Sequence, residues 1–315
     1  MSNFVFCLNA TLPLFLMMVV GYVLRKINFI DEHGSSMMNR LVFRIFLPAL
    51  IFSDLAKEDF AAIWDGEMIL FCFVVTIISI VIALFVSLVS KDLAERGEMI
   101  QASFRSAAAT LGIAFILNIY DSATAVALMI IGSVPLYNTI SVIVLSLTAN
   151  NEGKKDNREL LKRTLYNVVT NPIILSIAAG LLWSLVKLPI PVIMNRSITY
   201  LGNIASPLAL IVLGSEFEFS AAGDKYKEII AVSFTKLILL CAIFLPFAIK
   251  LGFREQKLVA ILIMLGSGTT SSSFIMAKNM GHRGVISSSA VMITTLLMSF
   301  TMTFWLYLLK TFGYI

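Results

Sequence analysis

Apolar runs of about 20 residues, separated by short polar stretches, recur along the whole chain. A run of that length crosses a hydrocarbon layer of about 30 Å as a helix, whereas barrel strands would be about half as long. The pattern predicts ten spans, near residues 4–24, 36–55, 68–89, 99–119, 124–147, 165–186, 194–213, 229–249, 258–277 and 285–309. The expected fold class is an all-α membrane protein.

The longest polar stretch, ANNEGKKDNRELLKR at residues 149–163, divides these spans five and five. It reads as a cytoplasmic linker between a first repeat at 1–148 and a second at 164–315. Shifted by 159 residues, Pro13 falls on Pro172, Gly21 on Gly180, Pro48 on Pro207, Asp65 on Asp224 and Phe115-Ile116 on Phe274-Ile275. An odd number of spans per copy makes the second copy enter the membrane inverted, the arrangement of many alternating-access carriers.

One apolar run is interrupted: LGSGTTSSSFIMAKNMG, residues 265–281, places small and hydroxyl residues in mid-span. The same shift sets it against the other small-residue segment, RSAAATLGIA at residues 105–114. The pair predicts broken helices in the fourth and ninth spans, crossing at mid-membrane, with close helix packing as the alternative. A half-helix beginning near Gly112 or Thr270 would turn unpaired N–H groups and its positive dipole end toward a carboxylate. Thr110, Thr269, Thr270, Ser271 and Ser272 would add hydroxyls, and Asn138 an amide that must find a buried partner.

Composition agrees: of 315 residues, 58% are hydrophobic and 14% charged, so no water-soluble domain of this size is indicated. The net charge of +5 is spread over short loops, which excludes a nucleic-acid surface. With the N-terminus outside, the inner loops carry thirteen Lys and Arg and the outer ones seven, favouring both termini outside a plasma membrane. Arg25 and Lys26 follow the first apolar stretch and no basic residue precedes it, so it reads as a retained helix. Cys7, Cys72 and Cys241 lie in separate spans and His33 and His282 in loops, so no disulfide framework, metal or cofactor is expected.

Ionisable residues within spans are costly and therefore point to function. Arg40, Arg44, Arg105, Lys236, Asp54 and Glu216 are the candidates. Arg44, one turn after Arg40, invites an anion or a water-filled vestibule, and Arg40 reads as snorkelling to the interface. Arg105 precedes the fourth-span break; it could draw an anion inward, and a salt bridge or snorkelling is its expected role. Lys236 is expected to neutralise Glu216 or Glu218 or to extend to the interface. Pro48, Pro207 and Pro135 should bend their helices, with Asn39 and Asn203 flanking Pro48 and Pro207.

NRLVFRIFLPALIF (39–52), GSVPLYNTI (132–140), TNPIILSIAAGLL (170–182), LGNIASPLALIVLG (201–214) and SSSFIMAKNMG (271–281) together resemble the auxin efflux carrier family, which includes bacterial malate permeases. The resemblance covers nearly the whole chain. It implies a ten-helix fold like that of bile-acid transporters and sodium/proton antiporters, with helices four and nine crossing and the bent second and seventh helices lining the pocket. It also implies organic-anion substrates. The family usually carries a proline in each crossover; here Ala114 stands at one position and Gly268 and Thr269 at the other.

The expected function is secondary transport of a small organic anion, a mono- or dicarboxylate such as malate, in a lipid bilayer. A coupling proton or sodium ion and a homodimer are left open. An antiporter on the same fold is the rival, though residues 99–120 and 258–279 hold no Asp or Glu. A channel or sensor is another alternative. No nucleophile–base pair, metal-binding His pair or aspartyl dyad points to an enzyme.

Overall fold

The computed structural model describes residues 2–56, 65–108, 116, 119–120, 124–149, 165–166, 169–186 and 189–315, with the side chains of 2–11, 124 and 219 left aside. The described secondary structure is helical throughout. In chain order the helices are α1 Ser2–Lys26, α2 Glu32–Ala56, α3 Gly66–Val89, α4 Leu93–Phe104, α5 Thr124–Thr148 and α6 Pro172–Val186. They continue as α7 Val192–Ser215, the short α8 Phe219–Asp224, α9 Tyr226–Lys250, α10 Glu255–Gly266, α11 Ser272–Asn279 and α12 Val285–Thr311.

Among the described residues, α2, α3, α7, α9, α12 and residues 125–148 of α5 are long and apolar enough to cross a membrane, and α6 is a shorter apolar helix. Their outer faces are apolar: Leu70, Phe73, Ile77, Val81, Leu84 and Phe85 form an exposed stripe on α3. Helical spacing of large apolar side chains on an exposed face is what lipid contact requires.

Where helices meet, glycine lets the backbones touch. A Cβ on Gly21 would lie 2.0 Å from the carbonyl oxygen of Ile211, and one on Gly214 would lie 1.9 Å from that of Met18. These two glycines clamp α1 on α7, and Gly180 and Gly202 seat α6 and α7 against α2 in the same way. A second group packs α3 on α4 and α5, with α9, α5 and α12 around α10.

Among the described residues, two membrane helices contain a π turn: Val42–Phe46 in α2 and Thr235–Leu239 in α9. The extra residue in such a turn redirects the side chains it carries, and these turns recur at functional sites. Here they carry the intramembrane cations Arg44 and Lys236. Pro48 lies just beyond the first π turn, Pro207 inside α7 and Pro135 inside α5.

The expected spans at 99–119 and 258–277 are not single helices. α4 stops at Phe104, with Arg105 already extended. The second run is α10, an extended stretch that begins at Ser267, and then α11.

Candidate functional site

The two helix ends touch through their backbones: the N–H of Ala107 donates to the carbonyl of Gly268 at 2.9 Å. The hydroxyls of Ser106 and Ser267 bond each other, and Ser106 also donates to the carbonyl of Ile263 at 3.3 Å. Thr269 reaches back to the carbonyl of Ala102 at 2.8 Å, and the Gln101 amide donates to that of Ser273 at 2.9 Å. Thr269 thus takes a carbonyl in the last turn of α4, where ladder donors run out, and Ser106 adds a second bond to one in the last turn of α10.

The break in α10 is made without proline. In a continuous helix the carbonyls of Met264 and Leu265 would accept from the N–H groups of Gly268 and Thr269, four residues on. Here the Lys236 amino group donates to both carbonyls, at 3.2 and 2.9 Å. The displaced N–H groups turn to α12, Gly268 to the Met298 sulfur at 3.3 Å and Thr269 to the Thr294 hydroxyl at 2.9 Å. All four of these displaced groups have a partner, so the interruption is built in.

Lys236 is fully buried, and among the described residues it meets neither Glu216 nor Glu218. Glu216 instead pairs with Lys278 at 2.7 Å and accepts from Ser35 at 2.8 Å. The expectation that Lys236 neutralises an acid or snorkels is therefore corrected: it caps α10.

Arg105 also departs from expectation. It is 2% exposed, so it does not snorkel. Its guanidinium donates to the Asn138 amide oxygen at 2.8 Å and to the Ser272 hydroxyl at 2.6 Å, and lies against the Met276 sulfur. These partners are neutral, and among the described residues no ion pair engages it. The Nε–H of Arg105 and the hydroxyl of Tyr137 are buried without a hydrogen-bond partner among the described residues. Asn138 is oriented by its own helix, donating to the Val134 carbonyl at 3.0 Å.

Arg105, Tyr137 and Asn138 line a cavity of about 430 Å³. Ser106, Thr270, Ser271 and Ser272 close it from the helix breaks. Leu47, Leu50, Ile51 and Asp54 of α2 and Asn203, Ser206, Pro207 and Leu210 of α7 form the facing wall. The volume suits a small molecule, and apolar side chains share the lining with a few polar ones, as in small-ligand sites.

Not every candidate is gathered here. Thr269 is turned away, its hydroxyl committed to Ala102. Arg44 and Arg40 line a separate, more polar vestibule of about 1000 Å³, with Arg25, Lys26, Lys278, Arg283, Glu32, Glu216 and Glu218. Thr110 and Gly112, with Ala114, lie outside the described residues. The vestibule and the cavity follow one another along α2, α7 and α11: Arg44 opens on one and Leu47 on the other, as do Lys278 and Ser272. At the vestibule the Asn279 amide donates to the Asn39 amide oxygen at 2.6 Å, tying α11 to α2.

Three positions that hold the helices around the site escape sequence reasoning. Glu98, one residue before the acid-free stretch at 99–120, is 2% exposed and accepts from the N–H groups of Gly284 and Ser287 at 2.8 and 2.9 Å, capping α12. His282 lies in a loop, as expected, but is buried there, its ring nitrogens facing the carbonyls of Ala94 and Leu145 at 3.1 and 2.9 Å. Thr294 carries no signal beyond being a hydroxyl in an apolar helix.

The chain matches the family model described as membrane transport protein over residues 6–306. It belongs to that family. It is similar to a protein of Methanothermobacter thermautotrophicus named "Uncharacterized transporter", 21% identical over 94% of this chain and 96% of that one. It is also similar to a protein of Rhizobium meliloti named "Putative malonate transporter", 23% identical over 95% of each chain. The protein is thus a multi-pass membrane transporter, and family and relatives alike are transporters rather than enzymes.

Proposed function

We propose that this transporter is a secondary carrier of a small mono- or dicarboxylate, held at the Arg105 cavity and exposed alternately to the two sides of a plasma membrane. The observation that carries the proposal is Arg105 itself: a buried guanidinium held by an amide and a hydroxyl at the wall of a cavity. A buried cation with neutral partners favours an anionic ligand, and a guanidinium matches a carboxylate with paired donors. The Nε–H of Arg105 and the Tyr137 hydroxyl are the donors left for it. A relative named for malonate transport supports the dicarboxylate class.

The architecture we infer is ten helices in two inverted five-helix repeats, joined near residues 149–163, with both termini outside. Helix boundaries support it: α2 and α7 start 160 residues apart, as do α3 and α9, while α4 and α10 start 162 apart and each runs for 12 residues. α4 and α10 each end in an extended residue beside the other. Alternation would move the crossing past α2 and α7, whose Leu47 and Pro207 line the cavity.

The test is uptake of labelled malonate and malate by purified protein in liposomes. Carrier action requires saturable counterflow, and uptake linear in concentration would indicate a channel. Arg105→Met removes hydrogen bonds to a charged group worth about 1.5–3 kcal/mol each, so KM should rise about tenfold or more. Arg105→Lys should recover little of it, lacking the fork. An unchanged KM in Arg105→Met would sink the assignment.

A further inference from the structure

Lys236 does more than a C-cap requires. An asparagine or glutamine amide, with two N–H donors, could hold two carbonyls without a titratable group, whereas an ionisable amine inside the membrane is costly to charge and tends to be functional. Its two hydrogen-bond acceptors are neutral carbonyls.

The elements packed against the π turn bring no acid to it among the described residues. On α4, Glu98 is committed to Gly284 and Ser287, and Arg105 faces the cavity. On α10, Glu255 and Lys257 belong to the first turn, the opposite end from Met264 and Leu265. On α12, Trp305 meets the turn by donating to the Leu237 carbonyl at 3.1 Å, and Lys310 lies in the last turn. On α9 itself, Glu228 and Lys250 lie near the two ends.

Lys236 and the cavity share the end of α10. Lys236 holds the carbonyls of Met264 and Leu265, and Ser106, which lines the cavity, holds the preceding one, that of Ile263. A negative charge arriving beside Ser106, whose hydroxyl shares the end of α10 with the Lys236 amine, therefore favours a proton on that amine. Lysine, unlike arginine, exchanges its proton when its surroundings change.

We propose that Lys236 is a proton-binding site linked to the anion: the amine takes up a proton from solution, becoming ammonium, as a carboxylate settles in the cavity, and the carrier moves the two together. This rests on the carboxylate reading of the cavity. Mutual stabilisation is reciprocal, so proton occupancy must strengthen anion binding by the same factor that anion binding strengthens proton occupancy.

The experiment measures malonate binding to purified protein in weakly buffered solution containing a pH indicator, near neutral pH and above. The wild-type protein should take up about one proton per malonate bound in the upper part of that range, where its affinity should fall about tenfold per pH unit. Lys236→Arg, which keeps the charge and the donors, should bind malonate without proton uptake, and its transport in liposomes should ignore an imposed pH gradient that drives the wild type. Binding without proton uptake in the wild type, or unchanged uptake in Lys236→Arg, overturns the proposal and leaves the carboxylate site standing. Failure of malonate and malate to bind at all overturns both. Should Lys236→Arg not fold, the pH dependence of wild-type affinity decides: a flat profile rejects the linkage.

Discussion

The N–H of Thr269 donates to the hydroxyl of Thr294 at 2.9 Å, so the break in α10 is held from α12 as well as from α9. Thr294 is itself anchored, donating to the carbonyl of Ala290 on its own helix. The two bonds use one hydroxyl as acceptor and donor at once, which fixes its rotamer.

Thr294→Val should therefore damage the crossing while preserving shape. It leaves the Thr269 N–H buried without an acceptor, a cost of about 1–3 kcal/mol. Thr294→Ser, which keeps the oxygen, should stay close to the wild type. Thermal stability in detergent measures both, and equal melting temperatures for the valine and serine variants would show that the hydroxyl is not what holds the break.

How much of this is legible in the sequence follows from where each partner lies along the chain. The apolar runs and the interruption at residues 265–281 are local patterns, and α2, α3, α5, α7, α9 and α12 lie within or close to expected spans. The break near Arg105 is local too, but its partners are not. Arg105 meets Ser272, 167 residues away, and Lys236 meets Leu265, 29 residues away. Periodicity says nothing about such pairings. Charge reasoning expects a buried arginine to need an acid, whereas an amide and a hydroxyl serve Arg105, and these types carry no charge pattern to search for.

Gly214 should tolerate no side chain. Its Cβ would lie 1.9 Å from the carbonyl oxygen of Met18, a backbone atom that cannot swing aside. Gly214→Ala must push α1 off α7, and overpacking of this kind costs about 1–3 kcal/mol or more. Gly223, where an added Cβ would meet nothing within 4 Å, serves as control. The comparison is yield and melting temperature of Gly214→Ala against Gly223→Ala; matched values would mean that α1 and α7 are not clamped there.

Arg44 and Arg40 should affect arrival of the anion more than its retention. Both line the vestibule rather than the cavity, on the α2 segment that leads to Leu47. Positive charge in a wide, wet mouth raises local anion concentration and is screened by salt, with a screening length of about 8 Å at physiological ionic strength. Replacing either by Ala should raise KM at low salt, Arg44→Ala more than Arg40→Ala because Arg44 is nearer the cavity, and the difference should shrink at high salt. Uptake kinetics at two ionic strengths measure it, and a salt-independent effect would place these residues in the site itself.

The pair formed by Asp65 and Lys257 joins the start of α3 to the start of α10, and it supplies a pH dependence of known sign. Lys257, and then the N–H of Met68 that Asp65 caps, hold the Asp65 carboxyl below its ordinary value of 3.8. Its folded-state value lies under its unfolded one, so the stabilisation is complete above about pH 4 and disappears as pH falls through the lower folded value. The pair is partly exposed, with side-chain accessibilities of 46% for Lys257 and 25% for Asp65, so solvent screening limits the effect to under about 1 kcal/mol. Asp65→Asn should lower the melting temperature slightly at neutral pH and converge with the wild type in acid. A difference that grows on acidification would reverse the sign and reject this account of the pair.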